Sequence, residues 1–292
     1  MKLGIIGGSG LYDFKGVQNL TYQKVETPFG KPSDELACGT LNGVEVVFLA
    51  RHGRGHALMP SEINFKANIY ALKKLGVDRI ISISAVGSFK EEIAPRDVVM
   101  VDQFVDRTKN SGSHTFFGDG IVAHIAFGDP VCHDLHNIVS TIANEVLAQK
   151  EAGPEGRPPM AHPSGTYLNM EGPAFSTKGE SYLYKAWGMD VIGMTNLAEA
   201  KLAREAEMCY CTMAMVTDYD CWHEEHEAVS VDLVVKTLLE NATTAQEIIR
   251  QAVTRISENP DCQCRSALKN AIITNPDHFP QETEQKLELL LV

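Results

Sequence analysis

Two kinds of block recur along this chain. Short apolar runs bounded by glycine or polar turns read as buried strands. Longer stretches with apolar residues every three or four positions read as helices. Residues 2–7 (KLGIIG), 44–51 (VEVVFLAR), 79–86 (RIISISAV) and 97–101 (DVVMV) are of the first kind, as are 164–171, 190–194 and 208–217. The second kind begins with a helix capped by Ser61 and stopped at Gly76 (SEINFKANIYALKKLG), followed by 132–149, 177–187, 197–207 and 231–257. Segment 106–130, rich in Gly, Ser, His and Phe, reads as a functional loop, and 151–163 as a mobile connection too short to establish two domains. Beyond Asn259 the pattern is polar, with a helix expected near the end. Strands alternating with helices predict an α/β protein with a mainly parallel sheet covered on both faces.

In such sheets ligands bind beyond the carboxyl ends of the strands. Those ends carry Gly7-Gly8-Ser9-Gly10, Arg51-His52-Gly53, Ser84-Ala85-Val86-Gly87, Met194-Thr195-Asn196 and Thr217-Asp218-Tyr219-Asp220. The first lacks the third glycine of a dinucleotide fingerprint and the Gly-Lys-Ser/Thr of a nucleotide-triphosphate loop. By itself it is a tight bend. Beside Arg51, His52 and the hydroxyls of Ser84 and Thr195, it becomes one wall of a site for a tetrahedral anion, with Arg offering a bidentate fork. Arg51 alone would read as a solvated surface charge. The Asp218/Asp220 pair could cap a turn, hold a metal or recognise a nucleobase. A carboxylate accepts from an exocyclic amino group; a protonated one donates to a ring nitrogen, which needs a pKa raised by burial.

Composition narrows the partners. With 292 residues, 44% of them hydrophobic, the chain can bury a large core. Its formal net charge of -12 argues against nucleic acid or an anionic membrane as partner. The opening residues lack the pattern of an export signal, and the apolar runs fall short of the roughly 20 residues of a membrane span, so a cytoplasmic protein is expected. The seven cysteines, Cys38, Cys132, Cys209, Cys211, Cys221, Cys262 and Cys264, are then expected to be thiols. Cys209 and Cys211 share one face of a strand and read as core, whereas Cys262 and Cys264 lie in the polar DCQCR, where a labile disulfide is the alternative. No Cys/His run has zinc-site spacing, so no metal is expected.

Several longer motifs, GIIGGSGL, TPFGKPS (27–33), ARHGRGHALMPSEINFKANI (50–69), DQFVDRT (102–108), EGPAFST (171–177), GMTNLAEAKLAREAE (193–207) and TDYDCW (217–222), resemble the purine nucleoside phosphorylase superfamily, in particular its branch acting on 5'-methylthioadenosine. The resemblance runs from Leu3 to about Ile256. It implies a three-layer-like single α/β domain around a mixed, partly barrel-like sheet, in place of the parallel sheet above. It assigns 1–258 to that domain and 259–292 to an extension packed on it or on a neighbour. It implies phosphorolysis without metal or cofactor, with inorganic phosphate as co-substrate. Phosphate would be held by Ser9, Arg51, His52, Ser84, Ala85 and Thr195; Ser9 and Ser84 keep the hydroxyl where relatives often carry Thr. Met194 would pack on the ribose and Phe175 on the base. Asp218 would be the acid facing the purine N7, and Asp220 would lie near the 6-amino group. Ser176, Val231 and Val235 would shape substrate choice. His124 would reach a neighbouring subunit's pocket in a homotrimer, or in a hexamer of paired trimers. Three rivals stand beside this reading: the same reaction on 6-oxopurines, which would favour an amide at 218; an NAD-binding oxidoreductase; and a purine-binding module without turnover.

Overall fold

The apolar run at the N-terminus forms β1 (Lys2–Gly7), buried from Leu3 onward. In a computed structural model, which describes residues 1–8, 14, 16–153, 156–223 and 231–291, ten further strands follow: β2 (Gln18–Gln23), β3 (Leu36–Leu41), β4 (Val44–Ala50), β5 (Arg79–Ser88), β6 (Val98–Val101), β7 (Gln103–Arg107), β8 (Ala161–His162), β9 (Thr166–Met170), β10 (Val191–Gly193) and β11 (Cys209–Tyr219). The α-helices are α1 (Phe65–Lys74), α2 (His133–Leu147), α3 (Lys178–Ala186), α4 (Asn196–Glu205), α5 (Val231–Ala252) and α6 (Gln281–Lys286). The side chains of 111 and 231–236 also lie outside the description.

The strands form one sheet ordered β2-β3-β4-β1-β5-β10-β9-β7, with β11 on the other side of β5, followed by β6 and β8. β1 lies parallel to β4 and β5, β11 parallel to β5, and β9 parallel to β10 and β7. β3 runs antiparallel to both β2 and β4, β10 antiparallel to β5, and β6 antiparallel to β11. The sheet is therefore mixed, and the mainly parallel sheet expected from element alternation alone is corrected. β2 and β3 escaped notice because β2 is exposed throughout and carries no apolar stripe.

Two apolar layers flank the sheet. One packs Leu135, Val139, Ile142 and Val146 of α2 with Ile248 and Ile249 of α5 against Leu3, Ile81 and Met213. The other packs Ile69 and Leu72 of α1 with Leu202 of α4 against Ile6, Val47 and Ile80, and includes Leu268, Leu287 and Leu290 of the tail.

The first helix starts later than predicted. Pro60 opens a separate 3-10 turn over Pro60–Glu62, and Asn64 caps α1 through its Oδ1, which accepts from Ala67 N at 3.1 Å. The predicted stop at Gly76 holds, with the glycine at φ +78°. The connection read as mobile is anchored where it is described. Asp97, fully buried, accepts from Arg157 Nη1 and Nη2 at 2.9 and 2.7 Å, from Met160 N at 2.8 Å and from His162 Nε2 at 2.8 Å.

β5 is the hub. Leu3 to Ile6 of β1 pair with Arg79 to Ser82, and β10 takes over on the same side at Gly87 and Ser88. Between these handovers, residues 83–86 have no strand on that side among the described residues, while β11 holds them on the other. The gap opens at the carboxyl end of β5, where ligand chemistry was expected.

Asp97→Asn should cost about 2 kcal/mol in urea unfolding, because a buried carboxylate that accepts from Arg157, His162 and Met160 N is replaced by an amide that cannot accept from all of them. Burial pushes the Asp97 carboxyl up, but donation from His162 and Arg157 outweighs it and holds the group below its ordinary range. Its stabilisation is present above that range and lost as pH falls. The gap between parent and variant should therefore narrow in acid.

Candidate active site

The open side of β5 exposes Ala85, the one exposed residue of an otherwise covered strand. Ser84 precedes it, buried, with Oγ 3.3 Å from the Tyr167 hydroxyl on β9. That hydroxyl also accepts from Thr195 N at 3.5 Å. Tyr167 thus ties Ser84 to Thr195, the residue before α4, whose own side chain makes no capping bond. The Thr195 hydroxyl remains available at a helix N-terminus, where negative charge is favoured. Gly193 is required nearby, because any Cβ there would collide with the Tyr167 hydroxyl.

Arg51 fills the rest of the gap, and it is not solvated. It is 2% exposed and donates from Nη1 to Ile83 O at 2.8 Å, from Nη2 to Ser82 Oγ at 2.6 Å, and from Nε and Nη2 to the Glu199 carboxylate at 2.5 and 3.2 Å. Glu199 also accepts from Ser82 Oγ at 2.6 Å and from the Tyr210 hydroxyl at 3.0 Å. The Nε–Nη2 edge of the guanidinium is engaged by Glu199. Among the described residues, one Nη1 hydrogen stays uncommitted. His52 follows, its Nδ1 2.9 Å from Leu58 O and its ring stacked on His56. A carbonyl only accepts, so Nδ1 carries the proton and Nε2 is left as an acceptor. Burial and then the Arg51 charge push this imidazole down to about 4.

The two carboxyls lie at the far end of the same strand pair. The β5/β11 register slips between Val216 and Asp218, so Thr217 is an extra residue and Asp218 is re-aimed beside Gly87. A Cβ on Gly87 would stand 3.1 Å from Asp218 Oδ1 and 3.2 Å from Ile192 Cγ2. Thr217 Oγ1 donates to Asp218 Oδ2 at 2.6 Å. Burial, reinforced by the Asp220 charge, pushes Asp218 up to about 6 against that bond. Asp220 is held through its amide to Ser88 O at 3.0 Å. Its Oδ2 is buried without a hydrogen-bond partner, and burial raises its pKa too. An acceptor in this state calls for a donor from a ligand.

The other predicted residues surround this core to different degrees. Met194, half-buried, backs on Gly172, where a Cβ would lie 2.5 Å from its Sδ. Ser176 accepts from the Cys221 thiol through its carbonyl at 3.3 Å, which draws the loop after β9 toward Asp220. Phe175, on that loop, is 54% exposed. His124 is not brought to these groups; it is exposed, and its amide donates to Ala271 O of the tail at 2.8 Å. Ser9 lies outside the described residues. Val231 and Val235 fall on α5, with side chains outside the description.

Sequence reasoning missed Tyr167, Glu199, Ser82 and Asn196, whose Nδ2 donates to Ser82 Oγ at 2.7 Å. The one available signal was Glu199, an acid inside the apolar NLAEAKLA.

A family model described as the phosphorylase superfamily matches residues 2–254. A relative from Koribacter versatilis (strain Ellin345), named S-methyl-5'-thioadenosine phosphorylase, is 56% identical over 290 residues, covering 99% of this chain and 95% of its own. One of the same name from Geobacter sulfurreducens is 55% identical over 289 residues, covering 99% and 97%. Among solved structures, a methylthioadenosine phosphorylase from an antarctic soil metagenomic library superposes with TM-score 0.91 at 46% identity, covering 99% of this chain and 98% of that one. The Schistosoma mansoni methylthioadenosine phosphorylase in complex with adenine superposes with TM-score 0.83 at 34% identity, covering 100% and 98%. A family match over that span, joined by relatives more than half identical across nearly the whole chain, makes this protein a member of the phosphorylase superfamily.

Proposed function

We propose that the chain catalyses the reversible phosphorolysis of 5'-methylthioadenosine, yielding adenine and 5-methylthioribose 1-phosphate. The carrying observation is the buried pair at the end of β11: Asp218, raised to about 6, beside Asp220 with its partnerless Oδ2. The relatives' shared name supports the same substrate. A 6-amino group is a donor that Asp220 can accept, whereas a 6-oxo group would set two acceptors against each other.

The chemistry balances with these groups. A phosphate oxygen bonds to C1' as the C1'–N9 bond breaks, and that bond's electron pair leaves with the purine. Asp218 donates its proton to N7, so the base departs neutral. The developing positive charge on the sugar is stabilised by the phosphate dianion beneath it. Ser84, Thr195, the free Nη1 hydrogen of Arg51 and the exposed edge at Ala85 position that dianion, together with Ser9. Neutral His52 accepts the phosphate's own O–H at Nε2. Alignment of three partners is the main task. It uses phosphate as co-substrate and no cofactor. Met194 packs on the ribose and Phe175 on the base, while Ser176, Val231 and Val235 tune the fit of the methylthio group.

We read 1–258 as the phosphorylase domain and 259–292 as an extension docked on it; the family match ending at 254 and the burial of Leu268, Leu287 and Leu290 support this. A homotrimer, or a hexamer of paired trimers, in which His124 completes a neighbour's pocket, fits its exposure. The cellular location that suits a salvage enzyme is the cytoplasm; among the described residues no helix is long and apolar enough to cross a membrane.

Purified chain should release adenine from 5'-methylthioadenosine only when phosphate is added, and faster than it cleaves methylthioinosine. Release without phosphate would make it a hydrolase, and preference for methylthioinosine would overturn the assignment of Asp220. Ser84→Ala should raise KM for phosphate roughly 10- to 100-fold, the worth of one hydrogen bond to a charged group. An unchanged phosphate KM would remove Ser84 from the cradle. Asp218→Asn should lower kcat/KM by roughly 10²–10⁴-fold. Because the acid must be protonated, kcat/KM of the parent should fall as pH rises through about 6. That limb should be missing in the variant.

A further inference from the structure

Four of the seven cysteines meet at one point. Cys132, Cys209, Cys262 and Cys264 bring their Sγ atoms within 4.8 Å of one another, and the Cys209–Cys262 separation is 3.5 Å. All four are free thiols. They come from three parts of the fold: Cys132 immediately before α2, Cys209 at the start of β11, and Cys262 with Cys264 in the stretch after α5. This is why chain spacing showed no metal motif; packing, not local sequence, assembles the set.

The spacing discriminates between two chemistries. A disulfide needs its sulfurs about 2.05 Å apart. Four thiolates about 2.3 Å from a central tetrahedral ion stand about 3.8 Å from each other. The observed cluster has the second size.

We propose that Cys132, Cys209, Cys262 and Cys264 bind one structural zinc ion in a tetrahedral all-thiolate site. Four sulfur ligands suit a soft, borderline d¹⁰ ion and leave no open position for water or substrate. The site lies at the opposite end of β11 from Asp218, nine residues away along an extended strand, or about 30 Å. Its role is to hold the fold together, independent of the reaction. Zinc with four thiolates carries two net negative charges, and a guanidinium shared with Asp134 stands beside the cluster. Arg79 pairs with Cys209 in the sheet register and is fully buried, and its Nε has no hydrogen-bond partner. The remainder of that guanidinium is held by Asp134 Oδ2 at 2.9 Å and by Ser257 O. Cys262 is the partly exposed member and provides the path of entry.

The consequence is a staple. After α5 the chain passes through Cys262 and Cys264 and then supplies Leu268, Ala271, Leu287 and Leu290 to the apolar layer over α1 and α4. The zinc would tie this tail to α2 and β11 at its root, where the connecting loop offers little apolar area of its own.

The test is metal loading of the full chain. As purified, it should contain one zinc per chain by elemental mass spectrometry, and its denatured mass without reductant should be that of seven thiols. After zinc removal under reducing conditions, Co²⁺ should bind one per chain with the absorption bands of tetrahedral cobalt thiolate. Zinc should displace it and raise Tm. Cys262→Ser should weaken Co²⁺ binding by more than about 100-fold, since even loss of an outer-shell partner costs 10- to 100-fold. Cys38→Ser, outside the cluster, should leave it unchanged. A mass lower by four hydrogens would establish two disulfides and overturn the proposal. So would a reduced, folded parent chain that takes up neither ion, a result that does not depend on any variant folding.

Discussion

The structure turns on a buried ion pair. Arg51 at the end of β4 and Glu199 on α4 meet with both side chains almost wholly removed from water. Such burial costs several kcal/mol per charge and is offset only when every remaining donor and acceptor is engaged. Here, among the described residues, Ser82, Tyr210 and the Ile83 carbonyl engage all of the pair's groups but one Nη1 hydrogen, and Asn196 supports Ser82. The pair therefore locks β4, β5, β11 and α4 into one register. Shift any of them and a charge is left bare. What the lock secures is the distance between the open edge of β5 and the N-terminus of α4, the two walls of the proposed anion site.

With that frame in place, β5 and β11 divide the chemical work. Residues 83–86 lack a strand on one side, among the described residues, because β1 has ended and β10 has not begun. Backbone amides that a neighbouring strand would otherwise occupy are left for the proposed anion. On the other side the pairing persists, but with one extra residue at Thr217 that turns Asp218 toward Gly87. The same burial that makes this edge hard to solvate lifts the Asp218 carboxyl toward the neutral range. Acid and cradle follow from two irregularities in the pairing of β5, the handover from β1 to β10 on one side and the register slip against β11 on the other. At the other end of β11 the strand is regular, and there it contributes Cys209 to the thiol cluster.

Several of these features were visible before folding. Continuous apolar runs marked β1, β4, β5 and β11, since strands covered on both faces need no alternation. Periodic apolar positions marked α1, α2, α4 and the long α5. Hydroxyls, Arg and Asp at strand ends marked the site, because a doubly covered sheet leaves its strand ends as the place for ligands. Ser84, Thr195, Asp218 and Asp220 accordingly stand where the motifs put them. The β2–β3 pair did not show, because β2 is exposed throughout and β3 buries only its end residues Leu36 and Leu41, which leaves no periodic trace.

Taken by itself, the sequence determined the main buried strands and helices and which polar side chains stand at their ends, because these depend on neighbours a few residues apart. Tertiary structure alone decided how those side chains are used. Arg51 read as one wall of an anion site, and only the fold sets Glu199, distant in the chain, against one edge of its guanidinium. Tyr167 drew no notice in the sequence, and only the fold brings its hydroxyl between Ser84 and Thr195. Four cysteines from three segments looked unrelated until packing brought their sulfurs together. In each case the deciding quantity was a partner or a degree of burial, and both are set by contacts between residues remote in sequence.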